Sequence, residues 1–457
     1  MSEQQTAQKL PPGPGGLPFF GNLIEFQQDQ LGFMDRMFRT YGSIVTIHIG
    51  KYPMFLLFRP EYVRYPLTEN PRNFTSLQSS GGDLLEVLGR SLLTIEGEEH
   101  RQQRRLVQPA FHKKRIESYA NIMVQYTQEM LEGWHEGEEV DIARTMQTLT
   151  LRIVAHALFN LELLSQVDRL GELFAQMIEH RRGPVARMLN LYIDLPFTEY
   201  GKRMEAKREL DAFIYRLIAE RRAAGRDEGD VMSMLLTSQE TGSMSDAQVR
   251  DHVMTFLAAG HETTSNALTW TFYLLSQYPE ARAKLLAELQ TVLGGRAPTL
   301  DDLPRLTYTE WVINEAMRVY PPVWTIGRRA INAFDLGGYH FPAGSSFLLS
   351  QWILHRHPEF WSEPEVFRPE RWDPVNGEKV PQGAYFPFGA GPRICIGMPF
   401  AQMEARLLLA TIMQRYTPRL VPGFRVEFLP RVTLRAKNGL RMILDRTPTA
   451  IKSPAGV

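Results

Sequence analysis

The chain has 457 residues, 44% apolar and 22% charged, a globular composition with enough apolar surface for a sizeable core. Basic and acidic residues number 51 each, and no block of lysine and arginine stands out, so no nucleic-acid partner is expected. A single cysteine excludes an intramolecular disulfide and a multi-cysteine zinc site, and it fits a reducing compartment.

By length alone about three domains would be expected. No internal repeat, low-complexity tract or clear linker divides the chain, however, so residues 1–457 read as a single domain. Its first ten residues, MSEQQTAQKL, are polar. The expectation is a cytoplasmic protein with no signal peptide and no membrane contact, since a spanning helix needs about 20 apolar residues. Residues 1–22 form a polar and Pro-rich leader, in which LPPGPGGLPFFGN forbids regular structure and stiffens the entry to the fold.

From Gly42 to Phe58 apolar residues alternate around Gly50-Lys51, a β-hairpin pattern, and Pro60 to Glu69 reads as a short helix. Lys51 and Tyr52 are exposed turn residues or anchors for a substrate carboxylate. The stretch from Ser76 to Gly89 mixes serine and glycine with Leu84, Leu85, Val87 and Leu88. In GEEHRQQRRLVQPAFH, His100 and Arg104 are four apart and share one face of a helix that ends before Pro109. Arg101, Arg105, Lys113, Lys114 and Arg115 make the neighbouring surface basic, which suits an acidic partner. Residues 112–240 are largely helical by pattern, with apolar stripes at Ile116, Tyr119, Met123 and Tyr126 and again from Leu149 to Phe159. Between two of these helices, Gly183 to Thr198 carries Pro184 and Pro196 among Met188, Leu189, Leu191 and Ile193.

Ser245 and Gln248 make a capping box that opens a long helix running to about Tyr278. In its middle lies AAGHETTSN, where Gly260 costs about 1 kcal/mol relative to alanine and Thr263 can bond the carbonyl of Ala259 and bend the helix. His261 reads as structural. A helix from Pro279 to Leu293 follows, then Glu315 and Arg318 three apart, and FRPERW at Phe367 to Trp372. The FPFGAGPRICIG stretch, Phe386 to Gly397, carries the lone Cys395 among Gly389, Gly391 and Gly397, which permit a tight turn. A helix from Pro399 through Tyr416 follows, so the sulfur lies just before a helix N-terminus, where N–H groups and Arg393 favour a thiolate. Buried filler, nucleophile and single axial metal ligand all remain open on these residues alone. Phe424 to Phe428 and Leu440 to Leu444 read as a small sheet.

The spacing Phe388, Gly391, Arg393, Cys395, Gly397 resembles the haem-binding signature of the cytochrome P450 family, FxxGxRxCxG. The resemblance implies a mainly α fold, one helical domain with small β-sheets, holding heme b (iron protoporphyrin IX) with Cys395 as the metal ligand. Such a thiolate pushes electron density onto iron and favours O–O cleavage. The resemblance further implies that Arg393, His100, Arg104 and Arg328 bind propionates and that Phe388 packs beside the sulfur. Ala259, Gly260, Glu262 and Thr263 match the oxygen-activating motif [AG]GxET, which makes Glu262 and Thr263 the catalytic pair of a proton relay. Glu315, Arg318 and Arg371 match a buried Glu-Arg-Arg lock that supports the cysteine loop. Leu84, Leu85 and Leu88 fall in the pocket roof, Val323, Thr325 and Ile326 in its wall, Gly183 to Thr198 in a mobile lid, and Lys437 to Gly439 near substrate.

The function implied is a monooxygenase that inserts one atom of O2 into a lipophilic substrate. The AGHETTS string is similar to that of fatty-acid hydroxylases, so a fatty acid comes first and a terpenoid next. Electrons are expected from a separate ferredoxin or flavodoxin-type donor with its reductase, to a monomer. A peroxide-dependent peroxygenase or hydroperoxide isomerase, and a non-catalytic haem sensor or carrier, are the alternatives.

Overall fold

The computed structural model describes residues 10–80, 83–163, 166–179, 193–240 and 242–448. Among these, no helix is long and apolar enough to cross a membrane.

Every other layer is arranged around the helix Asp246–Gln277. Its start is fixed as the sequence predicts: Gln248 N donates to Ser245 Oγ at 3.2 Å and Ser245 N to Gln248 Oε1 at 2.9 Å. Pro279 opens the next helix, Pro279–Leu293, directly after the first has ended. The long helix is buried on most sides, including Trp270 and Phe272 at 0% and 1% exposure, and it buries polar side chains such as Arg250, His252, Glu262 and Asn266 as well. Against it lie the helices Ile142–Phe159 and Met398–Met413, whose leucines, isoleucines and methionines fill one continuous core. The predicted helix after the cysteine ends at Met413, because Tyr416 begins the strand Tyr416–Leu420.

A five-stranded sheet flanks this bundle, in the order Ile44–Ile49, Tyr52–Leu57, Ser346–Leu349, Ile326–Ala330, Phe74–Ser76. The first two strands are the predicted hairpin, paired from Ile44↔Leu57 to Ile49↔Tyr52. Pro60 to Glu69 is a helix Pro60–Arg64 running into one wider turn, Tyr65–Glu69. Near the C-terminus the strand reading shifts: Phe424 lies in a turn, and the hairpin is Phe428–Pro430 with Leu434–Ala436. Of Leu440 to Leu444, the residues from Arg441 on belong to the strand Arg441–Arg446, which pairs with both Glu139–Asp141 and Tyr416–Leu420, while Leu440 lies just before it.

Candidate active site

Cys395 sits where a tight loop turns into the helix Met398–Met413. Two positive-φ glycines shape that loop, Gly389 at +71° and Gly391 at +70°. At Gly391 a Cβ would fall 1.7 Å from the carbonyl oxygen of Leu67, so only glycine fits there. Gly397, at φ −84°, needs no such freedom; it caps the helix. Cys395 N donates to Phe388 O at 3.0 Å, which closes the loop. Burial pushes the Cys395 thiol up, while the N–H groups of Gly397 and Met398 and the charge of Arg104 pull it down. A metal ion on the sulfur would settle the balance, since a coordinating thiol is deprotonated outright.

The sulfur opens onto a cavity of about 400 Å³. Phe388 and Gly397 line its cysteine side, and Ala259, Gly260, Glu262 and Thr263 of the long helix also line it. Thr263 Oγ1 donates to Ala259 O at 2.9 Å, the predicted back-bond, yet the helix runs unbroken through this point. Gly260 has a packing reason that the sequence does not show: a Cβ there would lie 2.7 Å from Val154 Cγ2 of the helix Ile142–Phe159. His261 turns away from the cavity, its Nδ1 against Leu257 O at 2.6 Å and its ring against Phe174.

Glu262 is 2% exposed and its Oε1 accepts from Arg435 Nε at 2.8 Å and from the Thr433 hydroxyl. Burial alone would raise this carboxyl; the charge and hydrogen bond of Arg435, with the Thr433 bond, bring it below its ordinary value. Neither Thr433 nor Arg435 stands out in the sequence, because they lie over 170 residues away on a short hairpin.

Four basic side chains, His100, Arg104, Arg328 and Arg393, line the same cavity. His100 and Arg104 share the buried face of the helix Gly97–Val107, and Arg328 comes from the strand Ile326–Ala330. Burial, then Arg393 and Arg104, push His100 down to about 4, while burial and Arg393 bring Arg328 down to about 10. Arg393 already donates to Leu92 O at 3.2 Å and to Ile95 O, and pairs with Glu96 at 2.7 Å. Glu96 is the carboxylate acting on His100 and Arg328 as well. Two guanidinium groups, Arg393 and Arg328, and the His100 imidazole share the Glu96 carboxylate, with Arg104 a third guanidinium on the same cavity, an edge suited to an anionic ligand. With an apolar interior and one thiol in the wall, the donor set fits haem: Cys395 for the iron, the basic edge for its propionates.

The predicted pocket residues Leu84, Leu88, Val323, Thr325 and Ile326 all line the cavity. Leu85 does not: the helix Asp83–Leu88 presents Leu84, Val87 and Leu88, at i, i+3 and i+4, and Leu85 falls off that face. Val154, Leu158, Phe256 and Met177 complete the wall and were missed, since they read as ordinary core. Lys437 is exposed and pairs with Glu427 at 2.8 Å; from that end of the chain Val432 and Thr433 reach the cavity instead. Lys51 lies over the Tyr52 ring at an exposed turn. In the proposed lid, Pro184, Met188, Leu189 and Leu191 lie outside the described residues. The side chains of Lys113 and Lys114 do as well.

The cysteine loop is braced from behind. Glu315 is 0% exposed and accepts from Arg318 Nε and Nη2 at 2.9 and 2.8 Å and from Arg371 Nε at 3.0 Å. Arg318 Nη1 also donates to His355 O at 2.8 Å, and the ring of His355 accepts from Phe386 N at 3.0 Å, at the start of the loop.

Three comparisons place this geometry. The family model described as Cytochrome P450 matches residues 11–438. The chain is 37% identical over 439 residues to cyclooctatin synthase of Streptomyces melanosporofaciens, covering 94% of each chain. It is 34% identical over 450 residues to pentalenene oxygenase of Streptomyces avermitilis, covering 95% of this chain and 97% of the other. The solved structure of retinoic acid bound cyanobacterial CYP120A1 superposes with a TM-score of 0.86 at 27% identity, over 96% of this chain and 100% of that one. The cysteine at the cavity wall, the oxygen-side motif across from it and the match over nearly the whole length agree: the chain belongs to the cytochrome P450 family and is a monooxygenase of it.

Proposed function

We propose that the protein hydroxylates a terpenoid, held in the cavity between Cys395 and the long helix, with heme b as cofactor. The observation that carries a lipophilic substrate is the apolar wall on the long-helix side of the cavity, formed by Val87, Leu88, Val154, Leu158, Phe256 and Ile326. Such a wall selects by shape and apolar contact. The names of the two Streptomyces relatives support terpenoids over the fatty acids that AGHETTS suggests.

When bound, the haem supplies dioxygen binding and the oxidising power for a C–H bond; the chain supplies the rest. Cys395 would hold the iron, and the glycine loop fixes its sulfur. His100, Arg104, Arg328 and Arg393 hold the anionic edge. The apolar wall excludes water and orients the substrate. Thr263 Oγ1 and Glu262 Oε1 would hold and move protons on the long-helix side of the cavity. The electron donor is a ferredoxin or flavodoxin-type protein with its reductase, acting on a cytoplasmic monomer. Exposed Arg105, on the helix that carries His100, is suited to such an acidic partner, whereas Arg101 is partly neutralised by Glu98.

The test is a ligand titration of the ferric protein with cyclic terpenes, fatty acids and steroids, read as the Soret shift to high spin. Cyclic terpenes are expected to give the largest shift. A larger shift with fatty acids would replace the substrate class, and no shift with any of them would overturn the reading.

A further inference from the structure

Gln351 is 0% exposed, and neither its Nε2 nor its Oε1 has a hydrogen-bond partner among the described residues. A buried amide left this way is costly, because water satisfies both of its ends in the unfolded chain. The side chain lines the cavity onto which Cys395 opens. Hydroxyl groups of the same wall are engaged: Thr325 Oγ1 donates to Leu349 O at 3.1 Å, Thr255 Oγ1 to Ser91 Oγ at 2.7 Å and Thr263 Oγ1 to Ala259 O at 2.9 Å.

The sheet decides which part of the cavity the amide faces. The strands Ser346–Leu349 and Ile326–Ala330 pair through Ile326↔Leu349 and Arg328↔Phe347, and opposite residues of an antiparallel pair share a face. Ser350 continues the chain extended, at φ −101° and ψ 107°, so Gln351 follows Phe347 and Leu349 onto that face. Phe347 and Leu349 pack in one cluster with Phe386, which starts the cysteine loop. Gln351 therefore stands in a row with Ile326 and Arg328, on the face that packs toward the cysteine loop, whose Pro387, Phe388 and Gly389 line the same cavity.

The basic edge needs no further cation. Arg104, Arg328 and Arg393 bring three positive charges to it, which Glu96 and the two carboxylates of heme b balance, and His100 is held neutral at pH 7. A neutral donor adds a hydrogen bond without upsetting that balance, and such a bond to an ionised oxygen is stronger than one to a neutral oxygen.

We infer that the Gln351 amide is a further ligand of the haem edge, its Nε2 donating to a propionate oxygen on the side of Arg328. This rests on the heme b reading above. The acceptor end is met by a water that donates both to Oε1 and to the second oxygen of the same carboxylate. A substrate hydroxyl offers the amide the same acceptor chemistry, and the test separates the two sources.

The test compares the full-length haem-loaded protein with its Gln351→Leu variant, without turnover. Resonance Raman spectra of the ferric, substrate-free form report hydrogen bonding to the propionates through their bending bands, and haem transfer to excess apomyoglobin reports how firmly the group is held. Gln351→Leu should shift a propionate band and transfer its haem about tenfold faster. Should that variant fail to fold, Gln351→Met, which keeps the length of the side chain, carries the same comparison. In parallel, spin-shift titrations with farnesol and with farnesene, which lacks the hydroxyl, are run on both proteins. Weaker binding of farnesol alone in the variant, with unmoved propionate bands, would give the amide to the substrate and overturn the inference. Unmoved bands overturn it even where haem transfer quickens, since that would be a general loosening of the pocket. A wild type that binds no haem would overturn the heme b reading and this inference with it, whereas unmoved bands in a haem-loaded protein overturn this inference alone.

Discussion

Gly260 meets two opposed demands. Replacing it by alanine gains about 1 kcal/mol of helix propensity. The added methyl, however, would sit 2.7 Å from Val154 Cγ2, and a β-branched side chain on a packed helix has one preferred rotamer and cannot step aside. Overpacking of this kind costs about 1–3 kcal/mol, so it wins. Gly260→Ala should lower the denaturation midpoint of the holoprotein by the equivalent of about 1 kcal/mol, and adding Val154→Ala to it should relieve the clash. A more stable Gly260→Ala protein would show that the helices do not approach this closely.

Thr263 differs, because among the described residues its hydroxyl is bonded within its own helix, to Ala259. Thr263→Ala keeps a good helix former, so fold, haem content and spin shift should survive. Product per reductant should fall while hydrogen peroxide rises in the same reaction. Coupling equal to wild type would make Thr263 a structural residue.

At the scale of elements, the helix Gly97–Val107 is moored to the long helix by His252, whose Nε2 meets Gln103 Oε1 at 2.6 Å. His252 is 0% exposed, and burial alone pushes it down to about 4. Its folded pKa is therefore below the unfolded value near 6.5. The folded state holds His252 neutral while the unfolded chain takes up a proton, so stability is full above pH 6.5 and is lost as pH falls toward 4. The loss reaches about 3 kcal/mol at and below pH 4. His252→Gln should flatten the pH dependence of the unfolding free energy by about that amount between pH 7 and 4. An unchanged slope would mean that other groups set it.

Legibility in the sequence divides along the same line. Features coded by neighbours were readable: the Ser245 capping box, the hairpin at Gly50, the back-bond of Thr263, and the glycine loop before the helix Met398–Met413. Features set by partners distant in the chain were not. The Glu262–Arg435 pair joins residues 173 apart, and Val154 meets Gly260 across two helices. The choice of Leu84, Val87 and Leu88 over Leu85 depends on which face of a short helix the cavity takes. Strand limits near Phe428 differ for a related reason: alternation of apolar residues also occurs in a turn, as at Phe424, whose N–H donates to Val421 O.

Across the whole molecule, the long helix and the cysteine loop face one cavity, and each is braced on its outer side. The hairpin bearing Arg435 holds the first, and the Glu315, Arg318 and Arg371 network holds the second through His355. The cavity thus lies between two braced elements, and His100, Arg104, Arg328 and Arg393 line it as well. Everything in this arrangement depends on Cys395 being the axial ligand. The most direct measurement is the absorption spectrum of the reduced protein under carbon monoxide, for wild type and Cys395→Ser. The wild type should show the strongly red-shifted Soret band that a thiolate opposite carbon monoxide produces, and Cys395→Ser should lose it. The same band in both proteins, or its absence from a correctly folded, haem-loaded wild type, would contradict the account.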